Sequence, residues 1–189
     1  IINYALQSLP KKIDEVVIVE PSTRCISKRI GGSYEFRVQK EPKGAWEAIL
    51  IGSKDCDSDF IVLSAHHFSK NAIEKVCKGM GIKLLFSEVK DPRDYGVGIF
   101  ENGELKGIVE KPENPPSNLA LVSIYRFTPE FTRFLEKLSK KKSSHYLLEE
   151  ALDEYIKEYG AEFEIISKEE VPSLKYPWDA LKIMKKLMR

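Results

Sequence analysis

The sequence predicts an α/β fold: a mixed, mainly parallel sheet carrying an antiparallel hairpin insertion. Three observations lead there. Short apolar runs of strand length, such as EVVIVE at 15–20 and DFIVL at 59–63, alternate with segments of helical apolar spacing, as in βαβ units. Glycines after the helical segments and prolines at their starts mark where each ends and begins. The step Asn102-Gly103 separates two further apolar runs, a strong hairpin signal.

The elements follow in order. Ile1, Ile2, Ala5, Leu6 and Leu9 make an apolar helical stripe over 1–9, stopped by Pro10. No capping residue precedes it, so an upstream segment is expected. The run at 15–20 reads as a buried parallel strand, 23–30 as a helix closed by Gly31 and Gly32, and 34–39 as a strand. A helix over 45–53 follows Pro42 and Gly44, a buried strand covers 59–63, a helix 71–78, and a strand 82–89. The hairpin strands are 97–100 and 105–110. A proline-rich loop at 112–118 leads to a strand at 120–127. Helices over 129–138 and 144–159, a strand at 163–166 and an amphipathic helix over 177–189 complete the chain. There are no internal repeats and no linker, so 1–189 is read as a single domain.

Composition narrows the class. With 42% hydrophobic and 31% charged residues the chain is an ordinary soluble type, and 189 residues allow a sizeable core. A net charge of +1 argues against nucleic acid or an anionic membrane bound through bulk charge. No apolar run reaches the roughly 18–20 residues of a membrane span. Cys25, Cys56 and Cys77 are odd in number and in no metal-ligand pattern, which with no visible signal peptide points to reduced thiols and a cytoplasmic setting.

Four segments, taken together, resemble the sugar-1-phosphate nucleotidylyltransferases, of glucose-1-phosphate thymidylyltransferase-like, archaeal type. They are Q-x-x-P-x-G-x-x-x-A from Gln39 to Ala48, P-x-x-Y-G-V from Pro92 to Val97, E-K-P at Glu110-Lys111-Pro112 followed by Ser117-Asn118, and Tyr176-Pro177-Trp178-Asp179. Alone, each also reads as ordinary structure: a turn before a helix, a turn entering a hairpin, a solvated Glu–Lys pair, a helix start with Asp179 complementing its dipole. The resemblance implies a Rossmann-like nucleotide-diphospho-sugar transferase fold lacking its first, central strand, hence a domain incomplete at its N-terminus. Loss of that strand would expose the edges of two buried strands. The resemblance also implies nucleobase binding by Gln39 and Gly44, and sugar binding by Tyr95, Gly96, Glu110 and Leu121. It assigns Lys111 the catalytic contact to the sugar phosphate. A Gln amide carries both donor and acceptor, and a fixed ammonium offsets phosphate repulsion.

The chain departs from the family at its metal site. Relatives hold Mg²⁺ with two aspartates. Ala65 stands at the first, within Val62-Leu63-Ser64-Ala65-His66-His67-Phe68, and Ser173 at the second. Alanine has no ligand atom and a serine hydroxyl is a poor substitute for carboxylate. His66 and His67 would suit softer metals, and consecutive strand residues point to opposite faces, so both are read as polar, partly exposed strand-end residues. His145 receives no role.

Two functions therefore compete. One is nucleotidyl transfer from a nucleoside triphosphate to a sugar-1-phosphate with release of pyrophosphate. The other is a non-catalytic family member that binds nucleotide sugar or a partner protein as a regulatory or assembly subunit. An unrelated α/β domain would leave Gln39, Gly96 and Lys111 unconnected in space. A homo-oligomer is compatible with the sequence, which sets neither base, sugar nor oligomeric state.

Overall fold

The computed structural model describes residues 2–67, 69–142 and 144–171. Every helix and strand expected in that range is present except the helix over 23–30. Helix α1 (Ile2–Gln7) buries Ala5. Strand β1 (Val17–Pro21) pairs in parallel with β2 (Glu35–Gln39). Between them, 23–30 form turns, and the cause is Glu20. Its side chain, 2% exposed, accepts hydrogen bonds from the Ile26 and Ser27 N–H groups, each at 3.0 Å. Those donors are then lost to a helical ladder, and Arg24 adopts a left-handed φ of 49°. Burial pushes the Glu20 carboxyl up, but the bonds from Ser27 and Ile26 outweigh it and leave it below the ordinary carboxylate range.

The remaining elements are α2 (Ala45–Gly52), β3 (Phe60–Leu63), α3 (Lys70–Val76), β4 (Lys83–Glu88), β5 (Gly96–Glu101), β6 (Glu104–Glu110), β7 (Leu119–Phe127), α4 (Pro129–Ser139), α5 (Leu147–Tyr159) and β8 (Glu162–Ile166), with a 3₁₀ turn at Lys168–Glu170. Asn102 and Gly103 form the β5–β6 turn with φ of 52° and 80°, the double left-handed geometry that Asn-Gly tolerates. Helix α5 begins three residues later than expected. The Ser144 hydroxyl accepts from the Tyr146 N–H and holds 144–146 in a turn.

Strands β6-β5-β7-β4-β8 run side by side, and β3 also pairs with β7. This is the expected mixed α/β sheet with its hairpin. Among the described residues its parallel pairing is confined to β4–β8, and β1 and β2 form a separate two-stranded parallel sheet. The nine-residue β7 runs antiparallel to β3, β4 and β5 and supplies most of the ladder. One edge of β7 is taken by β4. The other is shared end to end by β5, at Ala120, and β3, at Ile124–Phe127.

Alternation along β4 and β7 divides the interior in two. Leu84, Phe86, Tyr125 and Phe127 face α2, α4 and α5, packing on Ile49, Phe131, Leu135, Leu148 and Leu152. Leu85, Val122 and Ile124 face α3, packing on Ala72, Ile73 and Val76. Strands β1 and β3 differ from the fully buried strands that their apolar runs predict. All four β3 residues are half-buried, and so are Val17 and Val19 of β1. Each pairs on one side only among the described residues, which leaves the other side partly open to water.

Candidate functional site

The C-terminal end of β2 and the N-terminal end of α2 build one half of the site. Gln39, half-buried, donates through Nε2 to the Gly44 carbonyl (3.1 Å) and to the Glu47 carboxylate (2.9 Å). Lys43 closes the loop with ion pairs of 3.5 Å to Glu41 and Glu47. With its amide donors engaged, Gln39 retains its carbonyl oxygen as an acceptor. Gly44 takes a φ of 131°, and a β-carbon there would lie 2.6 Å from the His145 carbonyl oxygen. Gly44→Ala is therefore expected to lower stability by about 1–3 kcal/mol in urea denaturation, since both backbone strain and a backbone collision must be accommodated.

The hairpin and β7 build the other half. Gly96 and Glu110 are paired residues of β5 and β6. The Glu110 Oε2 lies 3.0 Å from the point where a β-carbon on Gly96 would sit, and the Glu149 Cγ lies 3.7 Å from it. Lys111 follows β6 with a left-handed φ of 44°, and its N–H donates to the Tyr95 carbonyl at 3.0 Å. Its ammonium is 4.0 Å from Glu110, donates to the Tyr146 hydroxyl at 3.1 Å, and lies 4.9 Å from the Tyr146 ring centroid. Tyr146 and Glu110 hold the Lys111 ammonium above its ordinary value, so it stays charged at neutral pH. Leu121 is partly buried on the Tyr125 face of β7.

The loop before α5 joins the halves. His145 touches Gly44 through its carbonyl, and its neighbour Tyr146 holds Lys111. Gln39, Gly44, Tyr95, Gly96, Glu110 and Lys111 thus belong to one connected set of contacts, unlike the scattered placement of an unrelated domain. Sequence reasoning missed Glu47, Tyr146 and Glu149 and gave His145 no role. The Tyr146–Lys111 contact spans 35 residues, and no local pattern signals it. Glu149, in the first turn of α5, is mostly buried. Burial pushes its carboxyl up to about 7, Glu110 and Glu150 add to the effect, and Lys111 opposes it.

At the open end of β3, the Ser64 N–H donates to the Ser123 carbonyl of β7 at 3.0 Å. Ala65 is exposed, and the chain turns back with the His67 N–H on the Ser64 carbonyl at 2.9 Å. This turn corrects the expectation that the two histidines face opposite ways. Their rings meet edge to face at 4.3 Å; both residues stay partly exposed at the strand end, as expected, with the His67 Nδ1 turned inward. Burial and the neighbouring His66 push His67 down to about 3, so its ring is neutral. A methyl group and two imidazoles do not suit Mg²⁺, a hard cation that takes oxygen ligands. No group of three or more metal-ligating side chains occurs among the described residues. Ser173 and the segment Tyr176-Pro177-Trp178-Asp179 lie outside them. No helix among the described residues is long and apolar enough to cross a membrane.

A family model described as nucleotidyl transferase matches residues 1–179. The chain belongs to the nucleotidyl transferase family. The chain is 27% identical over 165 residues to the bifunctional sugar-1-phosphate nucleotidylyltransferase/acetyltransferase of Sulfurisphaera tokodaii, covering 84% of this chain and 41% of that protein. It spans 38–41% of the length of the first curated relatives it matches. The crystal structure of a Bacillus anthracis protein, described as a candidate glucose-1-phosphate thymidylyltransferase in complex with a sucrose, superposes with a TM-score of 0.76 at 18% identity, covering 95% of this chain and 78% of that one. That likeness shows the fold. A UDP-glucose pyrophosphorylase complexed with UDP-glucose is 28% identical with a TM-score of 0.54, covering 66% of this chain and 54% of that one.

Proposed function

We propose that this chain carries out nucleotidyl transfer to a sugar-1-phosphate. The phosphate oxygen of the sugar-1-phosphate attacks the α-phosphorus of a nucleoside triphosphate, the bond to the β-phosphate oxygen breaks, and pyrophosphate leaves. The observation that supports the reading is the contact chain from Gln39 and Gly44 through His145 and Tyr146 to Lys111, as expected of a base subsite beside a sugar-phosphate subsite. Gln39 and the backbone at Gly44 hold the base. Tyr95, Gly96, Glu110 and Leu121 line the sugar subsite, with Glu110 accepting from sugar hydroxyls, and Lys111 neutralises the sugar phosphate as the two anions approach. The UDP-glucose bound by the pyrophosphorylase relative supports this ligand class.

One observation favours a non-catalytic binder: Ala65 and two imidazoles stand where the resemblance places a metal carboxylate. Pyrophosphate release from each nucleoside triphosphate with glucose-1-phosphate, with and without Mg²⁺, separates the readings. The expected result is release that requires both substrates. Binding of UDP-glucose without release under either condition would establish the non-catalytic reading instead.

A further inference from the structure

We propose that Glu149 is a positioning residue of the sugar-phosphate subsite: packed with Glu110 against Gly96 and beside Lys111, it sets how strongly the subsite holds a phosphomonoester. This rests on the sugar-phosphate reading of Lys111 given above.

Glu149 lies in the first turn of α5, three residues after the Tyr146 that holds the Lys111 ammonium. Its Cγ and the Glu110 carboxylate both crowd the inner side of Gly96, at 3.7 and 3.0 Å from one point. The titratable groups facing it are Glu110 and Lys111 from the end of β6, Tyr125 from β7 and Glu150 on its own helix. Asp153, one turn further, is committed to the Ile108 N–H at 3.1 Å and to the Lys157 ammonium at 2.6 Å. Lys157 is thus engaged by Asp153, and Lys142 by Glu150 at 3.7 Å and Glu154 at 2.7 Å, so the cation that faces Glu110 and Glu149 is Lys111.

The charge count decides the consequence. With Glu149 protonated, Glu110 and Lys111 offset each other, Glu150 is paired with Lys142 at 3.7 Å, and a phosphate dianion meets one negative charge fewer than when Glu149 is ionised. Ionising Glu149 adds one negative charge to the subsite, and the same dianion is held less tightly at short range. The two carboxyls titrate as a coupled pair. Burial resists ionisation near neutrality, and the pH interval around 7 is where the switch falls.

The test is calorimetric titration of glucose-1-phosphate into wild type and Glu149→Gln from pH 5.5 to 8.5. Taking the ratio of the two dissociation constants at each pH cancels the ligand's own second ionisation. Wild type and variant should agree within about twofold at the acid end. At the alkaline end the variant should bind roughly 3- to 10-fold more tightly, the size expected of one partly screened charge. Glu149→Asp, which keeps the ionisable group, should restore a pH step. A ratio that stays constant across pH marks a merely structural residue and overturns the proposal while leaving the sugar-phosphate reading intact. Should Glu149→Gln not fold, carbon-13 carboxyl titration of unliganded wild type replaces it, and a Glu149 signal with no step between pH 6 and 8 overturns the proposal. Failure of wild type to bind glucose-1-phosphate at any pH overturns both readings.

Discussion

Lys111→Ala is expected to weaken glucose-1-phosphate binding roughly 10- to 100-fold and to abolish pyrophosphate release. The basis is the loss of a charge-assisted bond to phosphate, about 1.5–3 kcal/mol. Its stability should be unchanged, because the side chain is surface-placed and alanine shares the left-handed strain at φ 44°. Lys111→Gly separates function from folding more sharply. Glycine relieves the strained backbone, so this variant should melt no lower than wild type while losing the same affinity. A loss of stability in step with the loss of binding would show that Lys111 works through the fold and not through the phosphate.

The second large effect concerns Arg126, which sequence reasoning did not single out. It lies on β7, is 4% exposed, and caps the loop that follows α3. Its guanidinium donates to the carbonyls of Val76 (3.1 Å), Met80 (2.6 Å), Gly81 (2.6 Å) and Lys78, and pairs with Glu162 at 3.4 Å. Arg126→Met should cost about 3–5 kcal/mol in urea denaturation, since the loop carbonyls lose their donors together. Arg126→Lys should recover only part of it, because an ammonium cannot present the planar fork. A cost below about 1 kcal/mol would mean that water replaces the guanidinium without penalty.

How much of this was legible beforehand depends on the range of the interactions. The Asn102-Gly103 hairpin was legible because its turn chemistry is local. So were strands β4 and β7, whose apolar runs are of strand length. The helix expected over 23–30 was not, because the competing partner is a carboxylate at Glu20 inside a strand. Nothing in EVVIVE shows that its last residue turns inward to bind two backbone N–H groups. Among the proposed site residues, Glu110 and Lys111 were readable from E-K-P and Gln39 and Gly44 from their loop. The connection between these pairs was hidden, because it runs through His145 and Tyr146, which belong to no motif. The mutual packing of the two histidine rings was hidden for a similar reason: the chain turns at Ser64, just past Leu63, and folds one ring onto the other.

The measurement that bears most directly on the account is calorimetric binding of UDP-glucose to wild type, Gly44→Ala, Lys111→Ala and the double variant. A nucleotide sugar spans both halves of the proposed site, so the account predicts measurable binding by wild type and a distinct loss from each single change. The double variant should bind weakest. If wild type does not bind, or if Lys111→Ala binds as wild type does, the paired base and sugar-phosphate subsites are contradicted.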